Sequence, residues 1–183
     1  LCFHCPFKYI SFNPTAYGAC AFSGLFQPYS RRLCVDKRDP SMTGFAILGP
    51  GSVANFHKIA IEANADRGAH LVAMGHYDPE KFNAIEGEYG VPCLLYNDLL
   101  NNPDVDVVSI CTPSGQHAAQ AIACAQAGKY VLVKKPMALS LDSADAMIEA
   151  CERVGVKMGV VFQRRAEPLF QRIHTAIQSG EIG

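Results

Sequence analysis

The stretch Phe45-Ala46-Ile47-Leu48-Gly49-Pro50-Gly51-Ser52-Val53-Ala54 decides the fold of this chain. Its four leading apolar residues predict a buried strand, and a helix-compatible stretch begins near Ser52. Between them lies the spacing G-x-G-x-x-A, in which the first glycine allows a tight turn and the second lets a pyrophosphate approach the backbone. The amides at the start of a helix attract phosphate as well. The strand before and the helix after favour a dinucleotide-binding loop over a mere turn, with Gly49, Pro50, Gly51, Ser52, Val53 and Ala54 as its residues.

Strand and helix patterns alternate from this stretch to the end of the chain. Apolar runs predict strands at 45–48, 70–74, 105–111, 130–133 and 156–162, with a weaker strand at 92–95. Helices are predicted at 52–63, 78–88, 114–127, 140–154 and 167–177. Continuous apolar strands joined by helices of this length indicate a parallel sheet covered on both faces, which is a doubly wound α/β fold.

Length and composition point to a globular protein. The 183 residues are 49% hydrophobic and 18% charged with a net charge of -1, which suits one domain, or one domain with a tail. Balanced charge disfavours nucleic acid as a partner, and no apolar run approaches the ~20 residues of a membrane span. Cysteines spaced singly among apolar residues fit small core side chains in a reducing, cytoplasmic setting; they are Cys93, Cys111, Cys124 and Cys151.

Residues 1–41 differ from the remainder and are predicted to be an extension of unknown structure before a domain at 42–183. They contain eight of the seventeen Phe and Tyr residues and a net charge of +3, from five basic and two acidic residues. They lack the basic start and clean apolar stretch of a signal peptide. Cys2, His4, Cys5, Cys20 and Cys34 are compatible with a zinc site, but a second Cys-x-x-Cys is missing, so an extension without a site is favoured.

Further candidate residues follow the later strands, at the sheet edge where ligands bind in open α/β sheets. Thr112, Pro113 and His117 follow the fourth strand and form either a turn or a wall of the cofactor pocket. Lys134 and Lys135 follow the fifth strand. Lysines on such a loop are either simply solvated or, when burial or neighbouring groups shift their pKa, transfer a proton to or from a hydroxyl.

Two more positions at this edge bear on the ligand. Gln163-Arg164-Arg165 follows the sixth strand, and its arginines either clamp anionic groups or are simply exposed. The second strand should end in an acidic residue that binds the adenosine ribose, but His76 stands there. Because the usual argument for NAD over NADP is lost, the cofactor is NAD or NADP. No metal site is predicted, and His57, His70 and His174 are interpreted as packing or surface residues.

Taken together, these motifs resemble the nucleotide-binding half of the Gfo/Idh/MocA oxidoreductases, the family of glucose–fructose oxidoreductase and inositol dehydrogenase. The resemblance runs from about Thr43 to Gly183 and rests on residues 46–54, 111–117, 131–138, 162–165 and 179–183. It implies a Rossmann fold and reversible hydride transfer between NAD(P) and a secondary alcohol of a sugar, nucleotide sugar or cyclitol.

The resemblance also implies roles for single residues. It implies that the pyrophosphate is held by Gly49, Gly51, Ser52, Val53 and Ala54. The path from adenosine to nicotinamide is lined by Thr112, Pro113 and His117. Lys135 is the catalytic residue that faces the reacting carbon, and two further positions near the cofactor are Gln163 and Arg165. The family's Glu-Lys-Pro is Lys134-Lys135-Pro136 here, which places a second cation beside the nicotinamide. That cation should disfavour the positively charged oxidised ring.

In this family a second domain, an open mixed sheet, follows at about Gly183 and supplies most of the substrate pocket, and we expect it to be absent from this chain. Dinucleotide binding with little or no turnover is therefore expected from the 183 residues alone, because a sugar must be held close to the cofactor for hydride to pass. The alternative is a non-catalytic dinucleotide-binding or interaction module derived from the family. An uncovered helix face or sheet edge would favour a homo-oligomer.

Overall fold

A computed structural model describes residues 42–182, and a parallel sheet of six strands forms its centre. The strands are β1 (Thr43–Leu48), β2 (Ala69–Gly75), β3 (Cys93–Leu94), β4 (Val107–Ile110), β5 (Tyr130–Lys134) and β6 (Met158–Val161). Their spatial order is β3-β2-β1-β4-β5-β6, and every neighbouring pair is parallel. This order is that of the Rossmann fold, so the predicted fold class is confirmed.

Helices connect the strands. They are α1 (Ala54–Glu62), α2 (Phe82–Tyr89), α3 (Tyr96–Asn101), α4 (His117–Gln126), α5 (Leu141–Val154) and α6 (Pro168–Gln178). Short 3-10 turns lie at Ala65–Arg67, Pro79–Lys81, Ser114–Gln116 and Gln163–Ala166. Asp78 starts the second helical segment by accepting the Glu80 amide, as its sequence indicates.

Two details differ from the sequence-based expectation. The helix predicted from Ser114 begins as an α-helix only at His117, because residues 114–116 form a tighter turn and no side chain caps it. The helix α3 was not predicted at all. It has only six residues, and its flanking Leu95 makes no capping hydrogen bond, so the usual start signal is missing.

The sheet is buried on both faces because its strands carry apolar residues at consecutive positions. In β1, Ala46 and Leu48 lie in one core cluster with residues of α4 and α5. Phe45 and Ile47 point to the opposite face and lie in a second cluster with residues of α1 and α2. Each fully buried Ile, Leu or Phe contributes about 1.5–3 kcal/mol, so the centre of the sheet is the most stabilised part of this framework.

Cys93, Cys111, Cys124 and Cys151 are buried free thiols, which fits their interpretation as core residues. Burial raises the pKa of Cys111 and of Cys124 to about 12, so neither is a reactive thiolate. The candidate zinc ligands of the leader lie outside the described residues. Among residues 42–182 no helix is long and apolar enough to span a membrane.

Candidate functional site

The candidate site lies where β1 and β4 are neighbours in the sheet. From these two strands the chain continues to opposite sides, to β2 and to β5, which opens a crevice outside their carboxyl ends. Because all strands are parallel, the segments that follow β1, β2, β4, β5 and β6 meet at this one edge. The fold therefore brings every candidate site residue of the sequence to the same edge of the sheet.

Gly49 is required by the fold itself. It has a φ of 92°, and its amide donates a hydrogen bond of 3.0 Å to the Gly75 carbonyl at the end of β2. A Cβ atom at this position would lie 2.9 Å from Thr112 Cγ2 and 3.0 Å from the Thr112 amide nitrogen. The turn after β1 is thus packed directly against the segment after β4.

Gly51 differs from Gly49 because nothing in the described structure demands a glycine there. It is exposed, its φ is not in the left-handed region, and a Cβ atom would meet no atom within 4 Å. Its amide donates to the Gly49 carbonyl at 2.9 Å, which folds the loop back and leaves the outer side of Gly51 open. An open backbone of this kind suits a ligand that must come very close to the chain.

The amides of the loop divide into two groups. Ala54 donates to the Gly51 carbonyl at 2.9 Å, while the amides of Ser52 and Val53 meet no acceptor within residues 42–182. Both free amides stand at the N-terminus of α1, whose first turn has no acidic residue to offset the positive end of the helix dipole. The loop therefore fits a diphosphate, but through two free amides rather than through every amide of residues 49–54.

Ala54 lies fully buried beneath this loop. It belongs to the core cluster that contains Phe45 and Ile47 of β1, so α1 approaches the sheet closely at its first residue. A larger side chain would push the helix start, and with it the free amides, away from the strand. This is the packing that the small last residue of G-x-G-x-x-A was expected to allow.

The segment after β4 is held by a buried histidine. Thr112 is buried, and its hydroxyl donates to Gln120 Oε1 in α4. His117 is fully buried, with Nε2 2.9 Å from the Thr112 carbonyl and Nδ1 2.8 Å from the Pro136 carbonyl. His117 therefore joins the segments that follow β4 and β5, and any effect on a cofactor acts through them. Pro113 is exposed beside the crevice.

The two lysines after β5 are set apart by their surroundings. Lys134 ends β5 and is half-buried, whereas Lys135 is exposed and is joined to Pro136 by a cis peptide bond. Within residues 42–182 no hydrogen bond or ion pair holds either ammonium group. The positive charge of Lys134 nevertheless affects a buried group, because it lowers the pKa of the His57 imidazole.

His57 is the polar residue whose place the sequence did not reveal. It is 2% exposed on the inner side of α1, and its Nδ1 lies 2.6 Å from Ser109 Oγ of β4. Burial, and secondly the charge of Lys134, lower the pKa of His57 from 6.5 to about 4. The spacing of His57 from the buried Ala54 and Ala60 was the available signal, because residues three apart share a helix face.

The end of β2 carries an imidazole in place of a carboxylate. The Asp78 amide donates to His76 Nδ1 at 3.1 Å, and the His76 ring stacks on Tyr77 with 4.5 Å between ring centroids. Oδ1 of Asp78 accepts the Glu80 amide at 3.1 Å, so this carboxylate is engaged in starting the next helical segment. No carboxylate occupies the position that the sequence assigns to ribose binding.

The segment after β6 lies largely at the surface. Gln163 is half-buried, while Arg165 is exposed with its guanidinium 5.8 Å from the Phe162 ring centroid. Arg164 pairs with Glu167 at 3.5 Å in a solvent-exposed ion pair, which is worth at most about 1 kcal/mol. Residues 42–182 contain no group of three or more His, Cys, Asp or Glu residues that could hold a metal ion.

A shallow recess of about 380 Å³ lies elsewhere, along α6. It is lined by Pro168, Gln171, Arg172, Thr175, Ala176 and Glu181. All six belong to α6 or to the turn after it, and α6 has no buried residue among those described. The recess is thus separate from the loops at the carboxyl ends of the strands.

Comparison with known proteins agrees with this geometry. The sequence model of a family described as "Oxidoreductase family, NAD-binding Rossmann fold" (Gfo/Idh/MocA) matches residues 43–162. An inositol 2-dehydrogenase of Rhizobium meliloti is 34% identical over 139 residues, which are 76% of this chain and 42% of that relative. The chain thus spans about two-fifths of the length of the curated relatives it matches.

Two solved structures are similar as well. The WlbA dehydrogenase from Bordetella pertussis, in complex with NADH and UDP-GlcNAcA, has a TM-score of 0.72 and 35% identity, covering 78% of this chain and 43% of that chain. The scyllo-inositol dehydrogenase from Lactobacillus casei, with bound NAD(H) and scyllo-inositol, has a TM-score of 0.68 and 25% identity, covering 78% and 42%.

Proposed function

Since this chain belongs to the Gfo/Idh/MocA oxidoreductase family, with its NAD-binding Rossmann fold, we propose that it provides the dinucleotide site of a sugar dehydrogenase. The reaction is hydride transfer between NAD(P) and a secondary alcohol of a sugar, nucleotide sugar or cyclitol. The observation that carries the proposal is the loop after β1, where the open backbone of Gly51 lies beside the free amides of Ser52 and Val53. When bound, the nicotinamide supplies the carbon that accepts or gives up hydride.

Each candidate residue has a proposed part in this site. The pyrophosphate is held at the loop of Gly49, Pro50, Gly51, Ser52, Val53 and Ala54. Thr112 and Pro113 form the wall beside it, His117 positions that wall, and His76 faces the adenosine ribose. Lys134, Gln163 and Arg165 lie toward the nicotinamide, and Lys135 moves the proton of the reacting hydroxyl.

Lys135 is the proposed catalytic residue, and its surroundings favour binding without turnover by this polypeptide. Its ammonium is exposed, and within residues 42–182 no hydrogen bond or ion pair fixes it. General acid–base catalysis requires a group held within hydrogen-bond reach of the proton it moves. We therefore expect the 183-residue polypeptide to bind the dinucleotide with little or no sugar oxidation.

A second candidate function is a non-catalytic dinucleotide-binding module. It is favoured by Lys134, a cation where the family pattern has a carboxylate, and by the unfixed Lys135. Both functions need the loop after β1. Only a positive result separates them: NADH formation by the 183-residue polypeptide with myo-inositol or a nucleotide sugar would exclude the non-catalytic module and contradict the expectation of little or no oxidation.

The experiment is a titration of the polypeptide with NADH, followed by calorimetry, for the wild type, Gly51→Ala and Gly87→Ala. We expect micromolar binding by the wild type. Gly51→Ala should bind about tenfold more weakly or worse, a loss of about 1.4 kcal/mol, because its Cβ fills the space that the diphosphate approaches. Its melting temperature should stay unchanged, since that Cβ meets no protein atom within 4 Å.

Gly87→Ala is the matched control. Gly87 lies in α2, and a Cβ there also meets nothing within 4 Å, so this variant adds the same methyl group outside the loop. Its affinity should equal that of the wild type, with stability raised by up to about 1 kcal/mol. The proposal fails if Gly51→Ala binds NADH as well as the wild type does, or if NAD, NADH, NADP and NADPH all fail to bind.

A further inference from the structure

The end of β2 determines how the site treats the adenosine half of a dinucleotide. In the β1–α1–β2 arrangement the residue after β2 lies beside the glycine loop, and here the Gly49 amide is bonded to the Gly75 carbonyl, one residue before His76. A carboxylate at this point accepts hydrogen bonds from the ribose hydroxyl. The same carboxylate repels a 2′-phosphate, and this repulsion is what separates NAD from NADP.

His76 places an imidazole ring where that carboxylate would lie. Its Nδ1 lies 3.1 Å from the Asp78 amide nitrogen and 3.3 Å from the Asp78 carbonyl oxygen, so both local contacts use Nδ1, and no contact within residues 42–182 engages Nε2. When Nδ1 accepts the Asp78 amide, Nε2 carries the ring proton, and a donor there suits a ribose hydroxyl and a phosphate oxygen alike. An imidazole, neutral or protonated, carries no negative charge to exclude the phosphate.

The neighbouring groups do not replace the missing carboxylate. Oδ1 of Asp78 accepts the Glu80 amide at 3.1 Å, which ties the carboxylate to the turn Pro79–Lys81. Tyr77 is 79% exposed and stacks on His76. The residue that directly follows the imidazole is therefore a phenol, and it supplies no carboxylate. Glu80 and Lys81 are both exposed on the following turn and carry opposite charges.

We propose that this chain binds NADP(H) at least as tightly as NAD(H), with His76 as the residue that admits the 2′-phosphate. The inference rests on the proposed function, because it concerns the same dinucleotide site. It assigns the cofactor class that the glycine loop by itself leaves open.

The test measures the dissociation constants of NADH and NADPH for the wild type, His76→Asp and His76→Asn. The chain has no tryptophan, so the emission of the reduced nucleotide reports binding without that background. We expect NADPH to bind the wild type as tightly as NADH or more tightly. His76→Asp should raise the NADPH dissociation constant about tenfold or more relative to that of NADH, because it restores a negative charge.

His76→Asn is the matched control for shape. Asp and Asn are nearly equal in size, and either can accept the Asp78 amide through a side-chain oxygen, so only the charge differs. The ratio of the two dissociation constants in His76→Asn should stay within about threefold of the wild-type ratio, about 0.7 kcal/mol. Melting curves of both variants confirm that they are folded.

Several outcomes overturn this inference without touching the proposed function. One is a wild type that binds NADH about tenfold more tightly than NADPH. Another is an equal shift of the ratio in His76→Asp and His76→Asn, which would assign the effect to shape. Failure of the wild type to bind either nucleotide contradicts the proposed function itself, and this inference with it.

Discussion

Two loops at the same edge of the sheet, the one after β1 and the one after β5, are built in opposite ways. The first is held by its own backbone: Gly49 is bonded to Gly75 and packed on Thr112, and two amides are left free. The second carries two lysines whose ammonium groups have no hydrogen bond or ion pair within residues 42–182. It is held by the buried His117, whose Nδ1 lies 2.8 Å from the Pro136 carbonyl, and by Met137 and Ala138, which pack against the core.

This difference indicates which of the two loops is already held in place before a ligand binds. Backbone amides at a helix start keep their positions at no further cost when a phosphate arrives. An exposed lysine side chain must lose rotamer freedom before it can act, which costs up to about 2 kcal/mol. We therefore expect the first loop to determine folding and cofactor affinity, and the second to modulate which state of the cofactor is preferred.

The largest effect should come from Gly49→Ala, which breaks the first loop from within. The new Cβ would lie about 3 Å from three Thr112 atoms, and a φ of 92° is unfavourable for alanine. Overpacking and the left-handed backbone together should cost about 2–5 kcal/mol of unfolding free energy. Urea denaturation measures this loss.

Gly51→Ala is the comparison for that measurement. It adds the same methyl group two residues away, where nothing lies within 4 Å, and should change the unfolding free energy by less than about 0.5 kcal/mol. Equal losses in the two variants would show that Thr112 moves aside and that the first loop is not held as rigidly as its contacts indicate.

The strands show how far the sequence alone leads. Continuous apolar runs around Ile47 and Val108 indicated buried parallel strands, because only strands covered on both faces carry such runs. The G-x-G-x-x-A spacing placed the loop at the correct strand end. The ends of elements were less accurate: β4 was expected at 105–111 and spans Val107–Ile110. Strand ends depend on which residues pair, and pairing is a tertiary property.

The site shows where sequence reasoning stops. The pattern assigned the tight turn to Gly49 and the approach of a pyrophosphate to Gly51, and the structure adds what no pattern contains: a Cβ at Gly49 would meet Thr112, whereas one at Gly51 would meet nothing within 4 Å. His57 was interpreted as packing or surface, and its partner Ser109 is 52 residues away in the chain. The helical spacing of His57 signals that it is buried, but a contact over 52 residues leaves no local pattern that identifies Ser109 as its partner.

The next prediction concerns the buried imidazole of His57, which lies in α1 and contacts Ser109 of β4. His57 has a pKa of about 4 in the folded chain, against 6.5 when unfolded. Between these values the unfolded chain binds more protons, so the stability that the neutral ring contributes is present above pH 6.5 and is lost as the pH falls toward 4. The full loss is about 3 kcal/mol.

Denaturation midpoints in urea from pH 7 to pH 4.5 measure this loss, with His57→Gln as the control. Glutamine does not titrate, so the variant should lose less stability over the window than the wild type does. Carboxylates elsewhere titrate equally in both proteins, and the difference between the two curves isolates His57. Parallel curves would contradict the assigned pKa and the burial of the ring.

The smallest effect should come from Lys134→Glu, which changes the charge of the second loop and leaves the first intact. We expect the wild type to favour NADH over NAD⁺, because the half-buried ammonium repels the positive oxidised ring. The variant should shift the ratio of the two dissociation constants toward NAD⁺ by about fivefold, which is about 1 kcal/mol. Titrations with both nucleotides measure the ratio.

Lys157→Glu makes the same charge change at the opposite edge of the sheet, because Lys157 directly precedes β6 and its carbonyl accepts the Val131 amide. If Lys134→Glu and Lys157→Glu shift the ratio of the two dissociation constants equally, the effect comes from the net charge of the chain and not from the position of Lys134. Lys134→Glu has a second readout that needs no cofactor: it removes the cation that lowers the pKa of His57, so the loss of stability on acidification should become smaller. A changed nucleotide ratio together with this smaller loss would show that the charge of the second loop acts on both the crevice and the helix beneath the first.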